Sequence, residues 1–288
     1  DNKDAGKNGQ MTDRDRLLAH YGKPGLLARI DAGLRASGID PQSVTRRDLA
    51  AVDEFHLRGP QATDELIALL DPTPEMKILD LGAGLGGPAR HLADARGCRV
   101  VGLDLTEEYC DVGNELSRRV GLLDRVTLRQ GDVTRLSEVE NASFDAAWTI
   151  HVGMNIRDKP TFYDEVRRVL KPASRFLVFD VVRAGDAEPV YPLPWSDSAD
   201  TSFLARDSEM KVLLVAAGFQ ILQEDDQGDK AKKFIQQTAA KARQAGGPPP
   251  LGLQLVLGPI FREIMPNLVD NLMRGALYPK VYLCQKPA

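Results

Sequence analysis

The sequence predicts an α/β protein whose mostly parallel sheet carries helices on both faces. Short apolar runs alternate with amphipathic stretches from residue 77 to about residue 225, which is typical of repeated strand–helix units. The runs are too continuously apolar for a sheet with one face in water. A glycine-rich segment, Gly82 to Gly87, directly follows the first run. The predicted strands are 78–81, 99–104, 125–130, 144–150, 175–180, 219–223 and 278–285.

The predicted helices fill the spaces between these strands. Thr106 is the expected N-cap of one of them, with Glu107 and Glu108 in its first turn. The sheet helices are predicted at 88–95, 106–120, 159–170 and 207–217. Ahead of the sheet, apolar residues recur at helical spacing from Met11 to about Ala36, over 46–57 and over 63–70.

A second helical block interrupts the sheet unit before its last strand. We predict a charged helix over 229–245, a break at 246–250 and a mostly apolar helical stretch over 251–273. The chain is thus divided into a flexible tail, an N-terminal helical cap, a sheet domain in two pieces and an inserted helical cap. These units are 1–10, 11–74, 75–227 with 276–288, and 228–275.

Composition and charge exclude several classes of protein. The 288 residues are 43% hydrophobic and 27% charged, which is ordinary globular usage, and the net charge of −4 lacks the basic excess of a dedicated nucleic-acid binder. No apolar run approaches the ~18 residues of a membrane span. Three scattered cysteines and a polar start without an apolar segment predict a cytoplasmic protein without a metal site.

The glycine-rich segment marks the expected ligand site, because ligands bind beyond the carboxyl ends of the strands in open parallel sheets. Gly82 and Gly84 allow the backbone to approach a ligand closely. Asp80 lies just before them, and Asp104 ends the next strand 24 residues later. A carboxylate at the position of Asp104 suits the two hydroxyl groups of a ribose.

Two cofactors fit this arrangement. A dinucleotide would place its pyrophosphate near Asp80, whose carboxylate would repel it, whereas S-adenosylmethionine offers an ammonium and a sulfonium that a carboxylate favours. The pattern therefore favours S-adenosylmethionine over NAD(P). Asp132 follows the third strand and is placed to accept a hydrogen bond from the adenine amine, with the Val133 backbone N–H donating to the ring. Asp80 could instead cap the backbone N–H groups of the glycine-rich segment, and Asp132 could be a turn residue.

The motifs resemble those of the class I S-adenosylmethionine-dependent methyltransferases. They are Leu79-Asp80-Leu81-Gly82-Ala83-Gly84, Gly102-Leu103-Asp104, Gly131-Asp132-Val133 and Leu170-Lys171-Pro172. The resemblance covers about residues 75–285 and implies a seven-stranded sheet with an antiparallel last strand. Ala173 and Ser174 depart from the two glycines usual in the family. We also expect Leu105, Trp148 and His56 to contact the cofactor.

A closer resemblance is to the sarcosine/dimethylglycine N-methyltransferases. The segments that carry it are Asp53-Glu54-Phe55-His56, Gly102-Leu103-Asp104-Leu105-Thr106, residues 148–156 and Tyr191-Pro192-Leu193-Pro194-Trp195. It implies N-methylation of a small amine such as sarcosine or dimethylglycine. The apolar 251–273 stretch, however, would give so polar an acceptor a nonpolar roof, and it motivates an alternative: O- or C-methylation of an apolar, natural-product-like or quinone-like acceptor.

His151 is the candidate catalytic residue, because it follows the fourth strand where donor and acceptor should meet. With an ordinary pKa near 6.5 it could take a proton from the acceptor, but it could equally be a packing residue or bind the methyl donor through its backbone. Met154, Tyr191 and Trp195 are the predicted acceptor contacts. An aromatic box for a methylated cation would need Trp148, Tyr191, Trp195 and Phe203, and an acceptor carboxylate would need Arg157, Arg183 or Lys159.

The predicted partner is a small-molecule methyl acceptor, with no nucleic acid and no membrane, in a monomer or a dimer. Two further classes stay open. An NAD(P)-dependent oxidoreductase would bind a nicotinamide cofactor instead of the methyl donor. A non-catalytic binding module would hold the donor without any acceptor reacting.

Overall fold

A central seven-stranded sheet organises the protein, whose computed structural model describes residues 11–247 and 249–288. The predicted tail, 1–10, lies outside the described residues. The strands are β1 (Lys77–Leu81), β2 (Arg99–Asp104), β3 (Val126–Gln130), β4 (Phe144–Ile150), β5 (Leu170–Arg183), β6 (Gln220–Asp226) and β7 (Leu277–Gln285). Their order is β3-β2-β1-β4-β5-β7-β6, and β7 runs antiparallel to both β5 and β6. The predicted α/β class and seven-stranded sheet are confirmed.

β5 differs most from its prediction, since it extends from Leu170 to Arg183 rather than over 175–180. Its outer end pairs with β7 as far as the Arg183–Leu277 register position, which provides partners for residues 181–183, and Leu170 at its start pairs with Phe144 of β4. Ala173, near its start, has φ 61°. This left-handed conformation favours glycine, the residue usual here in the family.

Helices cover both faces of the sheet and complete two hydrophobic cores. The helices between strands are α5 (Gly87–Arg96), α6 (Glu107–Arg119), α7 (Lys159–Val169) and α8 (Asp207–Ala216). Side chains alternate along each strand, so Leu79 and Leu81 join one core while Ile78 joins the other. Thr106 occupies the N-cap position of α6, but its side chain makes no capping hydrogen bond.

The N-terminal block forms separate short helices. They are α1 (Asp13–Tyr21), α2 (Leu26–Ala36), α3 (Arg46–Asp53) and α4 (Pro60–Leu70). The helical pattern predicted from Met11 to Ala36 is therefore interrupted, because Pro24 and Gly25, with φ 84°, separate α1 from α2. α1 buries none of its side chains, whereas Leu26, Ile30 and Leu34 of α2 enter a third core.

The block before β7 contains α9 (Gly228–Gln244), α10 (Gln254–Leu257) and α11 (Phe261–Met273). The prediction of one helical stretch over 251–273 is wrong in its middle. Gly258, with φ 69°, and Pro259 begin a 3-10 turn that separates α10 from α11. Within residues 11–247 and 249–288, no helix has the length and apolar character needed to cross a membrane. The division into a sheet domain and two helical caps stays a prediction.

Candidate active site

A cavity of about 1480 Å³ lies beyond the carboxyl ends of β1 to β4. Each of these strand ends contributes to its wall, as the topology of a parallel sheet requires. The opposite wall comes from α1, α9 and α11. Pockets for one small ligand usually measure ~300–1,000 Å³, so this cavity has room for a cofactor and a second molecule.

The glycine-rich loop after β1 requires glycine at the two predicted positions. Gly82 has φ 78°, and a β-carbon there would lie 2.3 Å from Cγ2 of Val152. Gly84 has φ 55°, and its β-carbon would lie 3.1 Å from the Phe55 ring. Both glycines line the cavity. Larger residues would therefore strain the backbone and require the loop or the Val152 and Phe55 side chains to shift.

Asp80 supplies a buried carboxylate at the base of this loop. It lies near the end of β1, is 2% exposed and lines the cavity. Burial raises the pKa of Asp80 to about 7. Its Oδ2 atom makes no well-aligned hydrogen bond within the described residues, although the Trp148 side chain lies close enough to lower the pKa of the carboxyl group. A buried acceptor with unused capacity fits the ammonium group of S-adenosylmethionine, which carries both charge and N–H donors.

Asp104 is the last residue of β2, two residues beyond Gly102, the register partner of Asp80. Its Oδ2 atom accepts the backbone N–H of Gly84 at 2.8 Å, and its Oδ1 atom accepts that of Thr106 at 2.9 Å. The carboxylate thus fixes the glycine loop to the start of α6 and also lines the cavity. Burial raises the pKa of Asp104. Ribose binding by this residue stays a prediction.

The remaining predicted cofactor contacts on this side are Leu105, Asp132 and Val133, and all of them line the cavity. The Oδ1 atom of Asp132 accepts hydrogen bonds from the backbone N–H and the hydroxyl of Thr134, at 2.9 and 2.6 Å. Asp132 is therefore part of a tight turn after β3, which was its structural alternative. The adenine contact stays a prediction.

His151 and His56 lie side by side at the inner end of the cavity, with ring centroids 6.2 Å apart. His151 Nδ1 lies 3.2 Å from the Phe179 carbonyl, and its Nε2 atom accepts the Leu57 N–H at 3.1 Å. His56 Nε2 is 2.9 Å from the Gly59 carbonyl. Burial lowers the pKa of His151 to about 3 and that of His56 to about 4, so both rings are neutral at pH 7.

The predicted aromatic box is not assembled. Trp195 lines the cavity, and its Nε1 donates to the hydroxyl of Ser202 at 2.9 Å. Trp148 is fully buried in the sheet core beside Asp80, its register partner on β1, and is not among the cavity-lining residues. Tyr191 and Phe203 are likewise not among them. Of the predicted acceptor contacts, Met154 and Trp195 reach the cavity and Tyr191 does not.

The three basic residues that were candidates for an acceptor carboxylate have other partners. Arg157 pairs with Asp13 at 2.7 Å on the rim. Arg183 forms an ion pair with Glu188 outside the cavity wall. Lys159 is buried, and its ammonium donates to the carbonyls of Ile156 and Phe203.

The outer half of the cavity is lined mainly by nonpolar side chains from helices far apart in sequence. They are Leu17, Phe234, Ile235, Ala239, Leu253, Leu257, Phe261, Met265, Leu268 and Val269, together with Met154, Val181 and Trp195. The apolar pattern predicted a roof over 251–273 only and did not indicate α9, whose apolar residues alternate with lysines and so resemble a solvated helix. Tyr21, Tyr109 and Asn155 in the wall were also missed, although Asn155 lies in the segment 148–156 that carries the closer resemblance.

Known proteins share the motifs and the fold. Residues 79–178 match the family described as "Methyltransferase domain". A sterol 24-C-methyltransferase of Eremothecium gossypii is 32% identical over 163 residues, which are 53% of this chain and 42% of that protein. A glycine/sarcosine/dimethylglycine N-methyltransferase of Actinopolyspora halophila is 30% identical over 181 residues, 63% of this chain and 31% of that protein. The chain thus spans less than half the length of these two curated relatives.

A solved structure of geranyl diphosphate methyltransferase in complex with S-adenosylmethionine shares the fold. Its TM-score is 0.64 at 17% identity, over 93% of this chain and 94% of that one. The family match covers β1 through most of β5, which includes the glycine loop, Asp80 and Asp104. Residues 79–178 are therefore similar to a methyltransferase domain, and one protein that shares the fold of the chain was solved with S-adenosylmethionine bound.

Proposed function

We propose that this enzyme transfers the methyl group to oxygen or carbon of a mostly apolar small molecule bound in the outer half of the cavity. The observation that carries this proposal is the nonpolar wall formed by α9, α11 and Trp195. Contact with such a wall stabilises an apolar ligand by roughly 25 cal/mol per Å² removed from water. A polar ligand would lose its hydration there without gaining hydrogen bonds.

The charges around the cavity argue in the same direction. The cationic side chains in its wall, within the described residues, are Arg14, Arg157 and Arg243, and all three are exposed at the rim. Arg157 already pairs with Asp13. A carboxylate held deep in the cavity would therefore face no buried cation, and an unpaired buried charge is costly.

N-methylation of sarcosine or dimethylglycine is the second candidate. It is supported by the 30% identity to the Actinopolyspora halophila N-methyltransferase, which extends over 63% of this chain. Those acceptors are small zwitterions, and they would have to bind near the exposed arginines of the rim. The two candidates thus differ in where the acceptor lies as well as in its chemistry.

The protein does not need to activate the methyl group, because the sulfonium of the bound cofactor would already do so. Bound S-adenosylmethionine would supply the methyl carbon and keep the electrons of the broken carbon–sulfur bond on sulfur, while an electron pair of the acceptor would form the new bond. The proton that the acceptor loses would pass to bulk solvent after the transfer. In this proposal Asp80 and the glycine loop hold the cofactor, and the nonpolar wall orients the acceptor and excludes water. Correct alignment of two reactants is worth ~7–11 kcal/mol.

The hydrogen bonds of His151 support a positioning part for it in this proposal. Its Nε2 atom already accepts the Leu57 N–H, so the imidazole lacks a free nitrogen lone pair in this conformation. Service as general base would require that contact to break. The role of His151 as general base stays a prediction. The pH dependence of the stability of the folded protein tests whether the imidazole is buried and neutral.

A product screen tests the proposed function. The enzyme is incubated with S-adenosylmethionine and, separately, with glycine, sarcosine, dimethylglycine, a set of phenols and a set of polyketide-like compounds. Mass spectrometry then detects methylated product and S-adenosylhomocysteine. We expect products from the apolar sets only. Product from sarcosine or dimethylglycine alone would replace the proposal with the N-methylation candidate.

A binding control distinguishes a methyltransferase from an NAD(P)-dependent oxidoreductase and from a non-catalytic binding module. Thermal-shift measurements should show stabilisation by S-adenosylhomocysteine and none by NAD⁺ or NADP⁺. Tight cofactor binding without any methylated product from either acceptor class would contradict both methyl-transfer candidates and leave the binding-module alternative.

A further inference from the structure

A small polar cluster interrupts the nonpolar wall on the side nearest the cofactor residues. It consists of Asn155, in the 3-10 turn Gly153–Asn155 that follows β4, Tyr21 at the end of α1 and Tyr109 on α6, and all three line the cavity. The Nδ2 atom of Asn155 is 3.5 Å from the Tyr21 hydroxyl, and the Tyr21 and Tyr109 rings meet edge to face at 6.4 Å. These groups are separated by up to 134 residues in the chain.

Hydrogen-bonding capacity in this cluster is left unused. The Oδ1 atom of Asn155 and the hydroxyl of Tyr109 are buried and have no partner in the part of the chain that the structure describes. Exchanging the amide oxygen and nitrogen of Asn155 would pair the oxygen with Tyr21 and leave the nitrogen unpaired instead. In either orientation one amide atom is available to a ligand. Buried polar atoms without partners are rare in folded proteins and cost free energy.

The backbone around Asn155 is held in place. The carbonyl of Met154 accepts the Phe203 N–H at 2.8 Å, and the carbonyl of Ile156 accepts from the Lys159 ammonium at 2.9 Å. The Asn155 side chain therefore projects from a fixed segment, as a recognition group must.

The cluster carries no formal charge. Burial raises the pKa of both Tyr21 and Tyr109 far above the ordinary value, so both phenols stay protonated and can donate. Together with the carboxamide they offer neutral donors and a neutral acceptor. Such a set suits an uncharged oxygen group and offers no cation to a carboxylate; the charge that acts on both phenols is that of Asp104.

On the basis of the proposed function, we propose that Asn155 and Tyr21 determine acceptor specificity by binding an uncharged hydroxyl or carbonyl oxygen of an otherwise apolar acceptor. The nonpolar wall holds the body of the acceptor, and this pair fixes its orientation relative to the cofactor residues. The pair acts by binding and positioning rather than by taking a proton.

Three probes with one carbon skeleton test the proposal: biphenyl, 4-phenylphenol and biphenyl-4-carboxylate. Their binding to the full chain is measured by equilibrium dialysis at saturating S-adenosylhomocysteine. We expect 4-phenylphenol to bind about tenfold more tightly than biphenyl, and the carboxylate to bind more weakly than both. Asn155→Leu and Tyr21→Phe should abolish the preference for 4-phenylphenol and leave biphenyl affinity unchanged.

Matched variants outside the cavity are Asn141→Leu, on the exposed turn before β4, and Tyr278→Phe, on β7, which should keep the preference. Equal affinity for biphenyl and 4-phenylphenol in the unaltered enzyme would overturn this proposal alone. The same holds if Asn155→Leu weakened both probes equally, as a purely structural residue would. Failure of all three probes to bind would overturn the proposed apolar acceptor, and this proposal with it.

Discussion

The Nε2 atom of His151 accepts a hydrogen bond from the backbone N–H of Leu57, at 3.1 Å. This contact joins the end of β4 to the segment between α3 and α4, 94 residues earlier, at the inner end of the cavity. Because Nδ1 lies 3.2 Å from the Phe179 carbonyl, the ring is the neutral tautomer with its proton on Nδ1. The imidazole thus holds the N-terminal helices against the cofactor side of the sheet.

The first prediction concerns pH and stability. Burial lowers the pKa of His151 to about 3, below its unfolded value of about 6.5, so the unfolded state binds the proton first as pH falls. The stability that this residue contributes is complete above pH ~6.5 and declines by up to about 1.4 kcal/mol per pH unit below it. His151→Gln removes this titration and retains an acceptor for the Leu57 N–H.

Urea unfolding of both proteins between pH 4 and 8 checks this prediction. Taking the difference between the two proteins cancels the contributions of Asp80 and Asp180, whose pKa values burial raises to about 7. The wild-type protein should lose stability relative to the variant as pH falls below 6.5. A difference that does not change with pH would mean that the ring is exposed to solvent.

The second prediction concerns Asp80 and cofactor affinity. Since burial raises its pKa to about 7, the carboxylate is largely neutral at pH 6 and ionised at pH 8, and only the ionised form attracts an ammonium fully. Affinity for S-adenosylhomocysteine should rise over this range. Asp80→Asn should lower the affinity at pH 8 at least tenfold and abolish the pH dependence.

Isothermal titration calorimetry at pH 6, 7 and 8 measures this effect, with Asp145→Asn as the control. Asp145 pairs with Lys171 at the far end of the sheet, near the start of β1, so its variant should bind like the wild-type protein. An undiminished affinity of Asp80→Asn would assign the ammonium to another group.

The third prediction separates backbone strain from crowding in the glycine loop. Gly38 has φ 75° and no atom within 4 Å of the position that a β-carbon would take, whereas Gly82 has φ 78° and its β-carbon would meet Val152 at 2.3 Å. Gly38→Ala should therefore cost only the left-handed strain, roughly 1–2 kcal/mol. Gly82→Ala should cost roughly 1–3 kcal/mol more, because crowding adds to the same strain.

Urea unfolding compares the two alanine variants, and titration with S-adenosylhomocysteine gives their cofactor affinity. Only Gly82→Ala should weaken cofactor binding. Equal losses of stability with full cofactor affinity in both variants would argue against the close approach of this loop to the ligand.

The fourth prediction concerns α11, which forms part of the nonpolar wall of the cavity. Met265 of α11 faces the cavity, while Met273 at the end of the same helix is 41% exposed. Met265→Glu introduces a charge into the nonpolar wall and should lower kcat/KM for apolar acceptors at least tenfold. Met273→Glu should have no effect. Cofactor affinity, measured in parallel, should stay the same in both; a selective loss of cofactor binding would place α11 against the cofactor instead.

Strand patterns and strand-end residues could be predicted from local sequence. The bounds of β2 and β4 agree with the prediction, and Asp80, Gly82, Gly84 and Asp104 come together at one cavity as expected. Both results follow from short-range rules: apolar runs form buried strands, and the carboxyl ends of parallel strands share one edge of the sheet. Helix interruptions at Gly25 and Gly258 were missed, because apolar spacing continues across them.

The sequence by itself determined the α/β class and the strand-end positions of Asp80 and Asp104 at the cavity, since each depends on a few neighbouring residues. Only the tertiary structure decided which distant side chains share the cavity. It turns Trp148 into the sheet core, brings Trp195 to the wall, and places Tyr21 beside Asn155. Side-chain direction on a strand and the packing of helices against it depend on the whole core, which no local pattern specifies.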